Sequence, residues 1–221
     1  MAIIFDNDDI IPFGYRSSLD ISGPITFSCW VKTTSTAIQY IIMGFNTASP
    51  FNGYAFVIGQ GGIAGSISFW DGGSGWNVSN VTVHDGFWHM ATITWEGTNA
   101  KFYKDGLFDV SRTVGAITTF GGNKQFGRTS FSFIGNLSDM RIYNRILSPS
   151  EVLTLYNSKL KYSSITNGLV GYWPLNEGIG GSFANNRQIF DLSGNENHGI
   201  ANNGANGTGL IYEADSFLSY I

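Results

Sequence analysis

A strictly alternating segment, ITFSCWVK at residues 25–32, most constrains the fold of this chain. One face of an extended strand here collects the apolar side chains Ile25, Phe27, Cys29 and Val31. Other short strand-like segments follow at the spacing of an antiparallel sandwich, separated by glycine, serine, proline and asparagine. The 29 glycines and an aromatic content of 15% suit many strands joined by tight turns. The sequence therefore predicts an all-β fold built as a two-sheet sandwich.

Two local signals predict a hairpin and a single clear helix. Asp105-Gly106, between AKFYK and LFDVSR, is a typical two-residue hairpin turn. The segment LSPSEVLTLYNSK favours a helix with Ser148 as its N-cap and Pro149 at the first helical position. Glu151 stands three residues after Ser148 and completes a capping box.

Composition excludes several classes of partner. Twelve basic residues against sixteen acidic ones give a net charge of −4, with no basic cluster to attract nucleic acid or an anionic membrane. Cys29 is the one cysteine of the chain, so no internal disulfide forms, and its apolar series predicts a buried position. No apolar run reaches transmembrane length, and the start MAIIFDNDDIIPF lacks the basic segment of a secretory signal. We expect neither nucleic-acid binding nor membrane insertion.

Several segments carry recognisable motifs. GFWHMATITWEGTNAKFYKDGLFDVS combines a Trp-His pair, a strand and a hairpin, and FIGNLSDMRIYNRILSPSEVLTLYN combines a strand with a short helix. IIFDNDDIIPF and SLDISGPITFSCWVK read as early strands. Together these segments resemble the Trp-His hairpin, closing strand and helix, and early strands of the laminin G-like/concanavalin A-like lectin and glucanase superfamily. The resemblance covers nearly the whole chain and implies an antiparallel jelly roll.

The order of these segments differs from that of the family. GLVGYWPLNEG and FDLSGNENHG resemble the first strand and following loop of the family, yet they stand after residue 167. Circular permutation explains this order, because the termini of a sandwich often lie close together. We therefore expect one domain over residues 1–221, in which residues 168–221 supply the strands that usually come first. The alternatives are strand exchange with a neighbouring subunit and a truncated second domain.

The sequence argues against catalysis. Retaining glycosidases need two carboxylates that face each other across the scissile bond, and the family's glucanase pattern of alternating acids on one strand is absent. His84 and His89 lie near Asp85, but no serine is placed to complete a triad, and we expect His89 to be packed or hydrogen-bonded in the sheet. The expectation is a protein that is not an enzyme.

The loop DLSGNENH offers side-chain oxygens at alternating positions, as a calcium site requires. The resemblance implies that two further acids reach the same region. The predicted metal-ligating residues are Asp139, Glu177, Asp191, Asn195 and Asn197. The calcium ion would be structural and would fasten the last strand of the chain. The alternative is a turn held by Asx side-chain hydrogen bonds without a metal.

Four aromatic side chains are candidates for a ligand-binding surface. Sugar sites pair aromatic platforms with polar groups, because sugar rings have apolar faces and many hydroxyls. The candidates lie on polar strand faces or flank the glycine-rich loop FWDGGSGWN, and they are Trp30, Trp70, Trp76 and Tyr103. The alternative is burial of these rings under loops.

Two functions of different classes fit these features. The first is a non-catalytic binding or structural protein that decorates a virion or cell surface, or mediates adhesion, and contacts other copies or capsid and tail proteins. The second is a free-standing lectin that binds a glycan or surface polysaccharide. Both place the protein at a virion or extracellular surface.

Overall fold

The computed structural model describes residues 2–45, 52–72, 75–119, 121–159, 165–178, 184, 186–202 and 210–212. The strands in the first half of the chain are β1 (Ile3–Phe5), β2 (Ile11–Gly14), β3 (Ile25–Lys32), β4 (Gln39–Phe45), β5 (Gly53–Ile58), β6 (Ser66–Trp70), β7 (Trp76–Thr82), β8 (His89–Glu96) and β9 (Asn99–Lys104). Those of the second half are β10 (Leu107–Thr113), β11 (Lys124–Phe126), β12 (Gly135–Tyr143), β13 (Leu169–Trp173), β14 (Gln188–Ile189), β15 (Gly199–Ile200) and β16 (Ile211–Tyr212). A 3₁₀ helix spans Ser17–Leu19, and one α-helix, α1, spans Pro149–Ser158.

Two antiparallel sheets form the body of the described chain. The larger sheet has the order β10-β9-β8-β3-β12-β1-β16, and β13 pairs with β12 beside β1. The smaller sheet has the order β2-β11-β4-β5-β6-β7. A separate pair, β14 and β15, lies outside both. The predicted two-sheet antiparallel sandwich is confirmed.

The main core lies between the two sheets. Phe27 of the larger sheet meets Tyr54, Phe56 and Phe69 of the smaller one, with ring centroids 5.1, 6.3 and 6.2 Å apart. Cys29 is fully buried in this core, as its apolar series predicts. The alternation of side chains along β3 therefore places Cys29 in the core between the two sheets.

Helix α1 covers the outer face of the larger sheet. The Ser148 hydroxyl accepts from the Glu151 N–H and the Glu151 carboxylate accepts from the Ser148 N–H, so the predicted capping box is confirmed. Val152 and Leu155 are buried against the sheet. Within the described parts of the chain, no helix has the length and apolarity needed to cross a membrane.

The C-terminal segment lies within the same sandwich. β13 pairs with β12, and Trp173 enters the core, where its ring lies 4.9 Å from the rings of both Phe13 and Phe126. β16 pairs with β1, which places Tyr212 beside Ile3. β13 and β16 thus complete the larger sheet, with β16 alongside β1 from the start of the chain.

Candidate functional site

A row of outward side chains crosses the smaller sheet. Directly paired residues in adjacent antiparallel strands point to the same face, so the strand register alone defines the row. Its members, from β11 to β7, are Gln125, Met43, Ala55, Trp70 and Trp76. The next residues along β5 and β6, Phe56 and Phe69, point into the core. The row therefore lies on the side of the sheet that faces away from the core.

An irregularity in β4 adds a tyrosine to the same side. The register shifts between Tyr40 and Ile42, so both Ile41 and Ile42 enter the core while Tyr40 packs with Met43 on the outer side. Strict alternation would have placed Tyr40 with Ile42 in the core. Tyr40 lies opposite Val57, next to the row.

Four rings form a continuous surface here, which we call the aromatic face: Tyr40, Trp70, Trp76 and Phe131. The ring centroids of Trp70 and Trp76 are 6.3 Å apart, those of Trp76 and Tyr40 are 6.1 Å apart, and those of Tyr40 and Phe131 are 6.1 Å apart. Phe131 is 54% exposed and the two tryptophans are half-buried, whereas Tyr40 lies beneath its neighbours. The aromatic face thus presents three partly exposed rings around one buried ring.

Phe131 is held in an uncommon backbone conformation. Its φ is 67°, a left-handed value that a phenylalanine rarely adopts, and such a conformation costs on the order of 1–2 kcal/mol. The Tyr40 N–H donates to the Phe131 carbonyl at 3.1 Å, and the Ile134 N–H donates to the Gln39 side chain at 2.8 Å. These bonds hold residues 131–134 against β4. Backbone strain that a fold maintains at one place is a reason to look for function there.

Arg128 adds a positive charge to the aromatic face. The guanidinium carbon lies 4.8 Å from the Tyr40 ring centroid and 5.6 Å from that of Phe131, within the range of cation–π contact. Burial raises the pKa of the Tyr40 hydroxyl, and Arg128 only partly opposes this, so the hydroxyl stays neutral near physiological pH. Gln125, three residues earlier, places an amide on the same side of the sheet.

The structure brings together only two of the four predicted ligand aromatics. Trp70 and Trp76 lie in the aromatic face, whereas Trp30 and Tyr103 lie on the outer side of the larger sheet. Trp30 is fully buried and stacks on Tyr156 of α1, with centroids 5.5 Å apart. Tyr103 is 1% exposed. The expectation that Trp30 and Tyr103 lie on an open face is corrected, because strand alternation identifies a face but does not reveal that a helix covers it.

Two members of the aromatic face, Tyr40 and Phe131, were not predicted from the sequence, and neither was the adjoining Arg128. Tyr40 and Phe131 meet only because β4 and the segment after β11 are neighbours, across about 90 residues of chain. Because the sequence does not reveal the bulge in β4, it does not predict the outward position of Tyr40. The one available signal was the aromatic and basic composition of GRTSFSF just after a strand.

The predicted calcium loop is held by hydrogen bonds to Asp191. Its carboxylate accepts from the backbone N–H groups of Tyr172, Ser193 and Asn197, at 2.7, 2.9 and 2.9 Å, and from the Ser193 hydroxyl at 2.8 Å. Four donors occupy a carboxylate that has about four lone-pair sites. Asp191 is buried, so these bonds are shielded from water.

The other predicted ligands have separate partners. Asp139 accepts two hydrogen bonds from Arg141, at 2.9 and 3.1 Å, and Glu177 accepts from the Phe190 N–H at 3.2 Å. Burial raises the pKa of the Glu177 carboxyl. The amide oxygen of Asn197 accepts from the Ser18 hydroxyl, while Asn195 is exposed. In the described residues no three His, Cys, Asp or Glu side chains gather at one place, and calcium stays a prediction.

His89 lies between two carboxylates, as expected for a histidine bound within the sheet. Its Nδ1 is 2.7 Å from Asp105, and its Nε2 is 3.0 Å from Asp85. Asp105 also accepts from the Met90 N–H at 2.9 Å, which ties the β9–β10 turn to the start of β8. The contacts of His89 are therefore those of a structural clamp.

Comparison with known proteins agrees with the fold described above. Residues 5–153 match the model of a family described as the concanavalin A-like lectin/glucanases superfamily. A curated relative is Sushi, von Willebrand factor type A, EGF and pentraxin domain-containing protein 1 from Rattus norvegicus, at 28% identity over 74% of this chain. This chain spans only 5% of that relative's length.

Solved structures share the fold at low sequence identity. A candidate carbohydrate-binding protein from Bacteroides ovatus superposes with a TM-score of 0.69 at 16% identity, covering 97% of this chain and 60% of its own. The sialidase module CBM40 from Ruminococcus gnavus, bound to α2,3-sialyllactose, superposes with a TM-score of 0.54 at 18% identity, covering 70% of this chain and 96% of its own. At these identities the likeness establishes the fold alone.

Proposed function

Since this chain belongs to the concanavalin A-like lectin/glucanases superfamily, we propose that it binds carbohydrate without catalysing a reaction on it. The ligand would lie on the aromatic face. The observation that carries this proposal is the continuous surface of Trp70, Trp76 and Phe131 around Tyr40, on the outer side of the smaller sheet.

The physical chemistry of the aromatic face suits a sugar. Half-buried rings offer rigid apolar area to the apolar faces of sugar rings, and they lose little side-chain entropy on binding. Arg128 and Gln125 supply hydrogen-bonding groups at the edge of that area, which sugar hydroxyls require. The sialyllactose bound to the CBM40 module is consistent with this use of the fold.

A glycan array with the purified chain, followed by titration of the best ligand, tests this proposal. We expect saturable binding that falls about tenfold or more in Trp76→Ala, because truncation of an aromatic anchor typically costs about 2 kcal/mol. Phe108→Ala is the matched control, since Phe108 is 55% exposed on the larger sheet. Equal losses in both variants, or no loss in Trp76→Ala, would contradict the proposal; melting temperatures confirm that each variant is folded.

We further propose that the protein acts at a virion or cell surface as a decoration or adhesion component. Three exposed apolar side chains near β14 and β15 favour a partner in an assembly: Phe190, Leu192 and Ile200 are 43%, 56% and 55% exposed. Clusters of large exposed apolar side chains mark interaction surfaces, and the pairing of β14 with β15 brings Ile200 to the strand that Phe190 follows. A free-standing lectin is the alternative.

Surface labelling and particle mass separate these two alternatives. Antibodies should label intact particles or cells, and light scattering should show a defined oligomer that Leu192→Ser weakens. A monomer that labels no surface and only binds glycan would support the free-standing lectin instead.

A further inference from the structure

We propose that a polar cavity beside β14 and β15 is a second binding site, and that its ligand is a neutral sugar. The cavity has a volume of about 510 Å³, a size typical of small-molecule sites. Arg16 follows β2 at one edge of the smaller sheet, whereas Trp76 of the aromatic face lies on β7 at the opposite edge. The inference therefore does not rest on the aromatic face. The polar side chains that line the cavity are Arg16, Asn186, Gln188, Glu196 and His198.

Arg16 brings a cation with unused hydrogen-bonding groups. Its Nη2 donates to the His198 carbonyl at 3.3 Å, which is the one hydrogen bond that the guanidinium makes to the described residues. Nε is buried and has no partner among them, whereas Nη1 is also unbonded there but is accessible. A ligand oxygen that accepts from Nη1 would meet a half-buried donor that is already partly desolvated and held in place.

His198 offers a second donor. Its Nδ1 accepts from the Asp191 N–H at 3.0 Å, so the neutral ring carries its hydrogen on Nε2. In the described part of the chain Nε2 makes no hydrogen bond, and it is accessible. Because His198 lines the cavity, this N–H is the hydrogen-bond donor that its ring can offer to a ligand there.

Two amides and a carboxylate add acceptors. Asn186, Gln188 and Glu196 are exposed, and none of their side chains is hydrogen-bonded to another described residue. Each amide can donate and accept, and the carboxylate accepts. The cavity therefore mixes donors with acceptors, as the hydroxyls of a sugar require, because each hydroxyl donates one hydrogen bond and accepts others.

The charges of the cavity favour a neutral ligand. Arg16 and Glu196 both line it, and no ion pair joins them in the described structure. An anion would meet the carboxylate of Glu196, and a cation would meet the guanidinium of Arg16. A small zwitterion could pair with both charges, but it would leave the amides and the imidazole unused.

Ile200 gives the cavity an apolar wall. Its side chain is 55% exposed and lines the same cavity. The register pairs Ile200 with Gln188, and directly paired residues of antiparallel strands point to the same face. A sugar ring whose apolar face rests on Ile200 would therefore have the Gln188 amide beside its hydroxyls.

NMR spectra of the ¹⁵N-labelled protein test this inference. Burial protects the Arg16 Nε–H from exchange with water, so its side-chain signal should be observable, and the backbone amide of Gly199 reports on the same cavity. The probes are maltotriose, cellotriose, mannotriose, galactotriose and the neutral glycan that binds best on the array. We expect at least one probe to shift both signals saturably.

Substitutions at the cavity identify the site. Glu196→Gln and Arg16→Gln should each weaken binding, followed at Gly199, by about tenfold, as expected for loss of a hydrogen bond to a charged group. Gln188→Ala, at an exposed position, replaces Arg16→Gln if that variant does not fold. Glu96→Gln is the matched control, since it removes the same charge from the exposed end of β8 and should change nothing.

The possible failures separate this site from the aromatic face. Loss of the Arg16 and Gly199 shifts in folded Trp76→Ala would overturn the independent site. No shift of these signals with any probe, while array binding still depends on Trp76, would overturn the second site and leave the proposed function standing. Shifts with free glycine and with none of the sugars would replace the neutral sugar by a zwitterion. Sugar-induced shifts without any binding that depends on Trp76 would support the cavity and contradict the proposed role of the aromatic face.

Discussion

At the residue scale, the clamp around His89 should respond to pH. Burial of the imidazole lowers its pKa, but hydrogen bonds to Asp105 and Asp85 outweigh that effect, so the pKa of His89 lies above its usual value. The protonated imidazole then donates to both carboxylates. Protonation of His89 therefore strengthens the link between the β9–β10 turn and the segment before β8.

The stabilising contribution of His89 should be lost as pH rises. Because its folded pKa is raised, the contribution is fully present below about pH 6.5, the unfolded value, and disappears as pH passes through the folded pKa. Urea denaturation of the wild type and of His89→Gln, from pH 5.5 to 8.5, measures the difference in unfolding free energy. That difference should shrink with rising pH, and Asp85→Asn should reduce the slope. A difference that stays constant would contradict this assignment.

Side-chain direction was predictable where strands are regular and unpredictable where they are not. The alternation of β3 places Cys29 in the core and Trp30 on the opposite face, as the structure shows. The direction of the Tyr40 side chain could not be predicted from alternation, because the bulge after it shifts the register by one residue. The aromatic face depends on that shift, so sequence reasoning found Trp70 and Trp76 but missed the ring that joins them to Phe131.

At the element scale, the loop at residues 191–198 fastens β13 to the rest of the sandwich. The Asp191 carboxylate binds the Tyr172 N–H in β13, and the Asn197 carbonyl accepts from the Trp173 indole N–H at 3.0 Å. The Asn197 amide donates to the Val170 carbonyl at 2.7 Å. These bonds connect the loop to three residues of β13.

Asp191→Ala should destabilise the protein whether or not calcium is present. Several buried donors would lose their acceptor, at a cost of roughly 3 kcal/mol. Thermal unfolding in calcium and in chelator measures the loss of stability in Asp191→Ala. Asn195→Ala is the control, because Asn195 is an exposed member of the predicted ligand set. A wild type that is stabilised by calcium, with that gain absent in Asp191→Ala, would instead establish the metal site.

Local signals predicted the helix and hairpin well because their causes are local. The capping box at Ser148 and Glu151 and the turn at Asp105-Gly106 each involve only a few neighbouring residues, and both are confirmed. The calcium prediction joined residues up to 58 positions apart through the resemblance alone. Arg141, which occupies the Asp139 carboxylate, stands two residues away, but sequence spacing does not show that the two side chains meet.

At the scale of the whole molecule, the chain order differs from the order in which the strands are arranged in the sheet. β16 at residues 211–212 pairs with β1 at residues 3–5, and neighbouring strands lie about 5 Å apart. β13 lies against β12, which precedes it in the chain by one helix and one connection. The first and last described strands therefore pair at the edge of the larger sheet, which is the arrangement that the predicted circular permutation requires.

A chain reopened at another point should fold to the same structure. A short glycine-serine linker would join residue 221 to residue 1, and new ends would be placed between Lys159, at the end of α1, and residue 165. We expect a monomer with unchanged β-sheet circular dichroism and a melting temperature within a few degrees of the wild type, because no described strand pairing is broken. If residues 168–221 instead complete a neighbouring subunit, the wild type should form dimers or larger rings by light scattering, and the linked chain should fail to assemble.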